Sequence, residues 1–168
     1  MNPIRVTRTY LHLPSPHALR SAHLPAGARI EHADPCPISF FRYLYTEVGR
    51  DYRWRDRLSW TNEQCAAHLA NPVVSIWVLY LSGAPSGYFE LNRQRDGSFE
   101  IAYLGLMHEY IGRGLGKALL SEAANCAWSL GASRVWLHTC TLDGPAAMPN
   151  YLARGFEKFY ELEYDIAG

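Results

Sequence analysis

Residues 110–117 read Tyr110-Ile111-Gly112-Arg113-Gly114-Leu115-Gly116-Lys117, with three glycines at alternate positions. Residues 99–106 before them are typical of a strand, and the apolar residues after Gly114 recur at three- and four-residue steps, which predicts an amphipathic helix. Glycines at such a junction leave several backbone N–H groups accessible at the positive end of the helix. The sequence therefore predicts a site where a phosphate contacts the main chain directly.

Two nucleotide-binding patterns fail at this junction. The Walker pattern needs glycine at position 111 and Ser or Thr at position 118, but the chain has Ile111 and Ala118 there. The dinucleotide-binding pattern needs a small residue at position 117, where the chain has Lys117. The strand before the glycines also belongs to an antiparallel series, so neither nucleotide-binding fold is favoured.

The elements around the glycines predict one mixed α+β domain over residues 1–168. Three runs, at residues 73–81, 87–93 and 99–106, predict an antiparallel meander, and the dipeptide Asp96-Gly97 is a strong hairpin signal. After the helix, which Gly131 ends, residues 135–139 predict a strand, so that one pair of strands is parallel.

The first 72 residues predict a surface layer and two helices. Residues 4–13 alternate loosely, as an edge strand does, and the proline-rich residues 14–37 are expected to wrap the surface irregularly. Residues 38–72 predict two helices, the second with Thr61 and Gln64 as a capping box. Residues 157–168 are expected to form the terminal strand.

Composition excludes several classes of protein. Lys plus Arg and Asp plus Glu each total 16, which gives a net charge of zero, whereas proteins that bind nucleic acid backbones carry a basic surplus. No two of the four cysteines have the C-x-x-C spacing of a zinc site, so no metal is expected. The longest apolar run is far below the ~20 residues of a membrane span, and no signal peptide is visible. A cytoplasmic protein without membrane partners is the expectation.

Residues 111–116 resemble the acetyl-CoA loop of GCN5-related N-acetyltransferases, whose pattern is Q/R-x-x-G-x-G/A at this strand-to-helix junction. Tyr151 to Phe156 resembles the Y-x-x-x-G-F ending of that family. The resemblance covers roughly residues 73–156, with two departures, at Ile111 and at Gly144, where the family often has Asn. It implies a mostly antiparallel central sheet with flanking helices and a strand splay that forms the acetyl-CoA cleft.

The resemblance implies roles for several residues. The backbone N–H of Leu106 would hold the thioester carbonyl, the backbone of Leu104 to Leu106 would pair with the pantetheine arm, and Tyr151 would protonate the leaving thiolate. Glu100 is the candidate general base, with His138 on the next strand as its rival. The pyrophosphate would contact the following amides, with Arg113 and Lys117 able to add positive charge: Ile111, Gly112, Arg113, Gly114, Leu115, Gly116 and Lys117.

The acceptor would dock on the side of the first two helices, where Tyr43, Tyr52, Trp54 and Arg55 are candidate contacts together with His138. Aromatic rings bind cations or rings, and arginine binds carboxylates. The expected function is transfer of an acetyl group to the primary amine of a small molecule by a monomer or homodimer. Two alternatives stay open: acetylation of a protein lysine or N-terminal amine, and a non-catalytic module that binds acyl-CoA.

Overall fold

The computed structural model describes residues 3–167; Met1, Asn2 and Gly168, which the single-domain prediction includes, lie outside the described residues. The strands are β1 (Ile4–Leu13), β2 (Ala28–His32), β3 (Val74–Leu81), β4 (Ala84–Arg93), β5 (Phe99–Leu106), β6 (Val135–Cys140) and β7 (Glu157–Ile166). The α-helices are α1 (Ile38–Gly49), α2 (Asn62–Ala70), α3 (Leu115–Ser129) and α4 (Ala147–Ala153). The mixed α+β class is confirmed.

All seven strands form one sheet in the order β2-β3-β4-β5-β6-β1-β7. Strands β2 to β5 form an antiparallel meander, as expected, with β2 added at its outer end. Strands β5 and β6 are parallel, which confirms the crossover through α3.

The expectation that residues 4–13 form an edge strand is wrong. Strand β1 lies inside the sheet, antiparallel to β6 on one side and to β7 on the other, and β7 is the edge strand. The alternation of side chains in a strand reports which faces are buried, but it carries no information about how many backbone edges are paired.

The proline-rich segment also contains more regular structure than expected. Strand β2 lies within residues 14–37 and pairs with β3. Proline is tolerated beside an edge strand, so its abundance concealed this short element. The rest of the segment contacts the end of α4, where Arg20 N–H donates to the Arg154 carbonyl over 2.8 Å. A Cβ at Gly155 would collide with the Ala18 carbonyl oxygen, and φ of +100° there favours glycine as well.

Two apolar layers lie on opposite faces of the sheet. Helix α3 covers one face, and the small residues Ala123, Ala124 and Ala127 let it approach the strands closely, since all three are fully buried. Helices α1 and α2 cover the other face over β3, β4 and β5, through the buried side chains of Phe41, Leu44, Val48, Cys65, Ile76, Val78 and Tyr88. Burial of each large apolar side chain stabilises the fold by about 1.5–3 kcal/mol.

Local signals set the ends of the helices. The Thr61 hydroxyl accepts from the Gln64 N–H over 3.2 Å, and the Gln64 side chain accepts from the Thr61 N–H over 2.8 Å, so the predicted capping box of α2 is confirmed. Helix α3 begins directly after Gly114, as the glycine pattern predicts. None of the helices among residues 3–167 is both long and apolar enough to cross a membrane.

Candidate active site

The glycine loop, residues 111–116, leads from β5 into the first turn of α3. Gly112 has φ of +82° and Gly114 has φ of +76°, a conformation that favours glycine over residues with a Cβ. No side chain caps the first turn of α3, and a Cβ at Gly112 would meet no atom within 4 Å. The first N–H groups of a 15-residue helix are therefore accessible to an anion.

Strands β5 and β6 separate after only two pairs. Phe99 pairs with Val135 and Glu100 with Trp136, and the remaining residues of both strands have no partner across this boundary within the described chain. We call the space between β5 and β6 beyond these pairs the gap. An extra residue in β5, Ala102, adds a bulge where the gap opens. The splay that the resemblance implies is thus present.

The backbone of β5 presents hydrogen-bonding groups to the gap. Met107 N–H donates to the Ser86 carbonyl over 2.8 Å, so Met107 faces β4. Because the direction alternates along an antiparallel ladder, the N–H and C=O groups of Leu104 and Leu106 point away from β4 and into the gap. An extended ligand arm can therefore pair with β5 as an added strand.

The gap ends beside the glycine loop. A Cβ at Gly116 would lie 3.9 Å from both Asn150 Nδ2 and Leu106 Cδ1, so the start of α3, helix α4 and the end of β5 meet there. Asn150 was not predicted from the sequence as a site residue. The signal that was available is its position, directly before Tyr151 in a motif already assigned to the site.

Tyr151 lies in α4, with its ring 6.2 Å from that of Phe156 at the edge of the core. Burial raises the pKa of the Tyr151 hydroxyl, and the neighbouring Asp143 and Tyr52 raise it further. The hydroxyl therefore keeps its proton at neutral pH. A protonated phenol can donate a hydrogen bond or a proton, which is what the predicted role of Tyr151 requires.

Tyr52 bridges the wide end of the gap. A Cβ at Gly105 would lie 3.0 Å from Tyr52 Cε2, and a Cβ at Gly144 would lie 3.4 Å from Tyr52 Cε1. The ring therefore lies against both β5 and the connection from β6 to α4. A Cβ at position 144 would just contact the Tyr52 ring, so the departure at Gly144 leaves room for this ring.

Glu100 and His138 face each other across the start of the gap, with Glu100 Oε1 3.7 Å from His138 Nε2. Their side chains are 18% and 36% exposed. Burial raises the pKa of Glu100, with Glu90 adding to the effect, and burial lowers the pKa of His138, with Arg8 adding to it. Both shifts favour the uncharged form. The two rival candidates for the general base are thus neighbours in one site.

A buried ion pair that was not predicted from the sequence lies beneath the predicted acceptor contacts. Glu90 is fully buried and accepts from Arg57 through both carboxylate oxygens, over 2.5 and 2.9 Å, and His68 Nε2 lies 2.8 Å from the same group. Burial pushes the pKa of Glu90 upward, but the bonds from His68 and Arg57 outweigh it and hold the pKa below its usual range. No local pattern indicates this pair, since 33 residues separate its partners.

Arg57 also stacks over the ring of Tyr103 at 4.2 Å and that of Trp60 at 4.8 Å. The backbone N–H of Arg57 donates to the Tyr45 hydroxyl over 3.2 Å. The ion pair therefore anchors residues 50–61, the segment that carries Tyr52 and Trp54, to β4 and β5.

The other predicted acceptor contacts lie in different places. Trp54 packs inward, 4.8 Å from the ring of Tyr103, and supports the segment that carries Tyr52. Arg55 is exposed on that segment. Tyr43 is 45% exposed and stacks on Phe40 on the solvent side of α1, so we leave it out of the proposed site.

The charged residues beside the glycine loop are accessible. Arg113 and Lys117 are both exposed, and the Arg113 guanidinium lies over the Tyr110 ring at 5.1 Å. Ile111 is exposed as well. Among residues 3–167, no three His, Cys, Asp or Glu side chains are arranged to hold a metal ion.

A strand splay that ends at a glycine-capped helix defines a class of acyl-transfer folds, and sequence comparison identifies the family. The chain matches the model of the acetyltransferase (GNAT) family over residues 39–156, more than two thirds of its length. The chain therefore belongs to the GNAT acetyltransferase family, as its motifs predicted. A comparison with curated proteins finds no match.

Solved structures share the fold. A GCN5-related N-acetyltransferase from Kribbella flavida has a TM-score of 0.69 at 19% identity, over 99% of this chain and 60% of that one. One from Sphaerobacter thermophilus has a TM-score of 0.70 at 18% identity, over 98% and 52%. An aminoglycoside acetyltransferase from an uncultured soil metagenomic sample has a TM-score of 0.64 at 16% identity, over 76% and 87%. The chain thus spans little more than half the length of the first two.

Proposed function

We propose that this chain is an acetyl-CoA-dependent N-acetyltransferase that acts on the primary amine of a small molecule. Membership of the family supports acetyl transfer. The observation that carries the proposal is the convergence at Gly116, where the start of α3, the gap-facing end of β5 and the helix of Tyr151 meet.

The cofactor would lie along main-chain groups. The gap-facing backbone of Leu104 and Leu106 would pair with the pantetheine arm, and the Leu106 N–H would hold the carbonyl oxygen. The amides of residues 111–117 would contact the pyrophosphate, with Arg113 and Lys117 beside it. When bound, acetyl-CoA supplies an activated acetyl group as a thioester.

Proton transfer would be the task of side chains at the two ends of the gap. Glu100, with His138 beside it, would accept the proton that the amine loses, directly or through water. Tyr151 would give its proton to the departing sulfur, and Asn150 would help to position the pantetheine arm. Burial raises the pKa of Glu100, which supports its role, because a base with a raised pKa is more effective near neutral pH. Burial lowers the pKa of His138, so its imidazole is uncharged and free to accept a proton.

Support for a small acceptor comes from the site and from one relative. Tyr52 and the segment of residues 50–61 restrict the wide end of the gap. One structural neighbour is an aminoglycoside acetyltransferase, seen in complex with sisomicin.

A thiol-release assay with acetyl-CoA and a panel of amines tests the proposal. We expect release with one or more small primary amines. Release with peptides alone would favour a protein amine as acceptor, and binding of acetyl-CoA without release on any amine would favour the non-catalytic module. Failure to bind any CoA ester would overturn the proposal.

A further inference from the structure

One face of β6, β1 and β7 is covered by no helix of the described chain. Helices α1 and α2 pack on the same face of the sheet, but only over β3 to β5. The uncovered part bears what we call the aromatic strip: Tyr10, Trp136, His138 and Phe159. The Tyr10 ring lies 6.2, 5.5 and 6.1 Å from those of the other three, in that order.

The aromatic strip is continuous with the candidate base. His138 belongs to the strip and lies 3.7 Å from Glu100 across the gap. A ring bound on Tyr10 and Trp136 would therefore be next to the place where the acceptor amine must lose its proton. Aromatic rings favour stacked or edge-on contact with other rings, so the strip offers a surface for an aromatic ligand.

Arg8 lies on the same face, two residues before Tyr10 and opposite Cys140 at the end of β6. Its Nη2 donates to the Tyr164 hydroxyl over 3.3 Å, and its guanidinium lies over the Tyr164 ring at 5.2 Å. Nε of Arg8 is buried without a hydrogen-bond partner, and no carboxylate among residues 3–167 lies within 4 Å of the guanidinium. A partly buried arginine without an acidic partner favours an anionic ligand.

Another arginine of β1 shows the contrast. Arg5 is exposed and has two acidic partners, Glu163 and Asp165, each at 3.8 Å. Acidic side chains are therefore available to pair with an arginine of this strand. Among residues 3–167, however, Arg8 has no such partner within 4 Å on the face that continues into the gap.

Acidic groups surround the same region. Asp143 is fixed at the end of β6, where its carboxylate accepts from the Cys140 N–H over 2.9 Å and from the Thr139 hydroxyl. Burial and Arg8 lower the pKa of His138, whereas Asp143 and Asp56 raise it. Arg8 of β1 is opposite Cys140, and the Asp143 carboxylate is bound to the Cys140 N–H, so one positive and one negative group stand at the same end of β6. This arrangement is complementary to a zwitterion.

We propose that the acceptor is an aromatic α-amino acid, an inference that rests on the proposed function. Its carboxylate would bind Arg8, its ring would lie on the aromatic strip, and its α-amine would point into the gap. Strand β1 is adjacent to β6, and Arg8 is opposite Cys140, so it stands one strand away from the gap at the end where the gap is open. In an α-amino acid the amine and the carboxylate are attached to the same carbon. The protein groups that bind them must therefore be close together, as Arg8 and the acidic groups are.

The transfer is balanced with the groups described. The α-ammonium first gives a proton to Glu100. The amine nitrogen then forms a bond to the acetyl carbon, the carbon–sulfur bond breaks, and the sulfur takes a proton from Tyr151. One of the two remaining amine protons leaves through water and the other stays in the amide product. Glu100 then releases its proton to solvent, and Tyr151 is reprotonated from solvent.

The first experiment compares substrates on the wild-type protein with acetyl-CoA. We expect kcat/KM for L-tryptophan and L-phenylalanine to exceed that for tryptamine and phenethylamine, which lack the carboxylate, by about 10- to 100-fold, the range for a charge-assisted hydrogen-bonded pair. L-Alanine, which lacks the ring, should be a poorer substrate than L-tryptophan.

The second experiment uses Arg8→Gln, with Arg5→Gln as the matched control on the same strand. Arg8→Gln should raise KM for L-tryptophan about 10-fold or more and leave tryptamine unchanged, because only the carboxylate contact is lost. Calorimetry should show weaker binding of L-phenylalanine in the presence of CoA. Arg5→Gln should change neither quantity. If Arg8→Gln does not fold, Arg8→Lys keeps the charge and should give an intermediate KM, since it loses the bidentate geometry.

The failures are distinguishable. Equal turnover of tryptamine and L-tryptophan by the wild type, or equal losses for both in the Arg8 variant, would overturn the carboxylate contact while acetyl transfer to amines stands. Equal turnover of L-alanine and L-tryptophan would overturn the role of the aromatic strip. Absence of thiol release with every amine would overturn the proposed function itself.

Discussion

The two sides of the proposed active site would recognise their ligands by different means. On the side of α3, the groups that would face the ligand are main-chain amides after Gly112 and Gly114 and the gap-facing backbone of β5. On the acceptor side, they are side chains from four separate elements, among them Tyr52, Glu100 and Arg8. Main-chain recognition needs only the right backbone shape, whereas side-chain recognition needs the whole sheet to be assembled.

This difference has an energetic consequence. The α3 side depends on local backbone conformations that glycine adopts without strain. The acceptor side depends on a buried ion pair between Arg57 and Glu90, which is costly to desolvate and stable only while both partners are present. We therefore expect substitutions on the two sides to change different quantities, so that stability, cofactor binding and acceptor turnover can each be affected without the others.

The largest effect is expected from Arg57→Met. Arg57 is 8% exposed and its removal leaves the carboxylate of Glu90 buried without its main partner. The free energy of unfolding should fall by about 3–5 kcal/mol, measured by urea denaturation at pH 7. Affinity of the folded fraction for acetyl-CoA should stay unchanged, because the ion pair lies on the other side of the gap.

The double variant Arg57→Met with Glu90→Met is the control. It should regain most of the lost stability, since both buried charges are gone. Because the pKa of Glu90 is lowered in the folded state, the loss in Arg57→Met should also shrink as the pH falls through that pKa. A single variant as stable as the wild type would contradict the assigned role of the pair.

Tyr151→Phe tests the chemistry where the two sides meet. Loss of the hydroxyl should lower kcat about 100-fold, a typical contribution of general acid catalysis, and leave KM for acetyl-CoA nearly unchanged. Steady-state thiol release measures both quantities. Tyr43→Phe, at an exposed tyrosine outside the proposed site, should behave as the wild type. Equal kcat values in Tyr151→Phe and the wild type would remove Tyr151 from the mechanism.

Gly114→Ala tests the main-chain side. A residue with a Cβ at φ of +76° costs about 1–2 kcal/mol, and relief of this strain would turn the amides away from the ligand. Affinity for acetyl-CoA, measured by calorimetry, should fall about 10-fold. Gly131→Ala is the matched control at the other end of α3, where φ is +94° and a Cβ would meet no atom within 4 Å. Gly131→Ala should lose stability but keep its affinity for acetyl-CoA. An equal loss of affinity in both variants would show that the effect of Gly114→Ala does not come from the glycine loop.

The smallest expected effect is the change in the free energy of unfolding that Glu100→Gln causes. Burial raises the pKa of Glu100 in the folded state, so the ionised form destabilises the fold above that pKa. The variant should be more stable than the wild type by about 0.5 kcal/mol at pH 7. The gain should disappear below the ordinary Glu pKa of about 4.3, where both states are protonated. Denaturation at several pH values measures it.

The same variant should lose the limb of the pH–rate profile in which activity rises with pH. The corresponding control is Glu109→Gln, at an exposed glutamate in the turn before the glycine loop. A pH–rate profile that is unchanged in Glu100→Gln would exclude Glu100 as the base.

Much of the fold was predictable because its signals are local. The capping box at Thr61, the hairpin at Asp96-Gly97 and the glycines around α3 each act within a few residues. The splay was predictable through resemblance alone, since the separation of β5 and β6 depends on how two strands far apart in sequence are paired. The interior position of β1 and the presence of β2 were missed for the same reason.

The candidate site was predictable to a similar extent. Tyr151, Glu100 and the amides of residues 111–117 could be assigned from motif positions, and these stay predictions until they are tested. The pairing of Arg57 with Glu90 was not visible, because burial and partner choice are set by contacts across 33 residues. For Asn150 the one local signal was its position directly before Tyr151.

By itself, the sequence determined the acetyltransferase family and the backbone conformation at the start of α3, because glycine spacing acts through the local energetics of φ and ψ. Only the tertiary structure decided that Glu100 and His138 face one another, that Tyr52 spans the gap and that Arg8 has no acidic partner among residues 3–167. These relations depend on which strands are adjacent and which faces helices cover. Strand order is set by the packing of the whole chain, since no short segment contains the partners that satisfy its backbone.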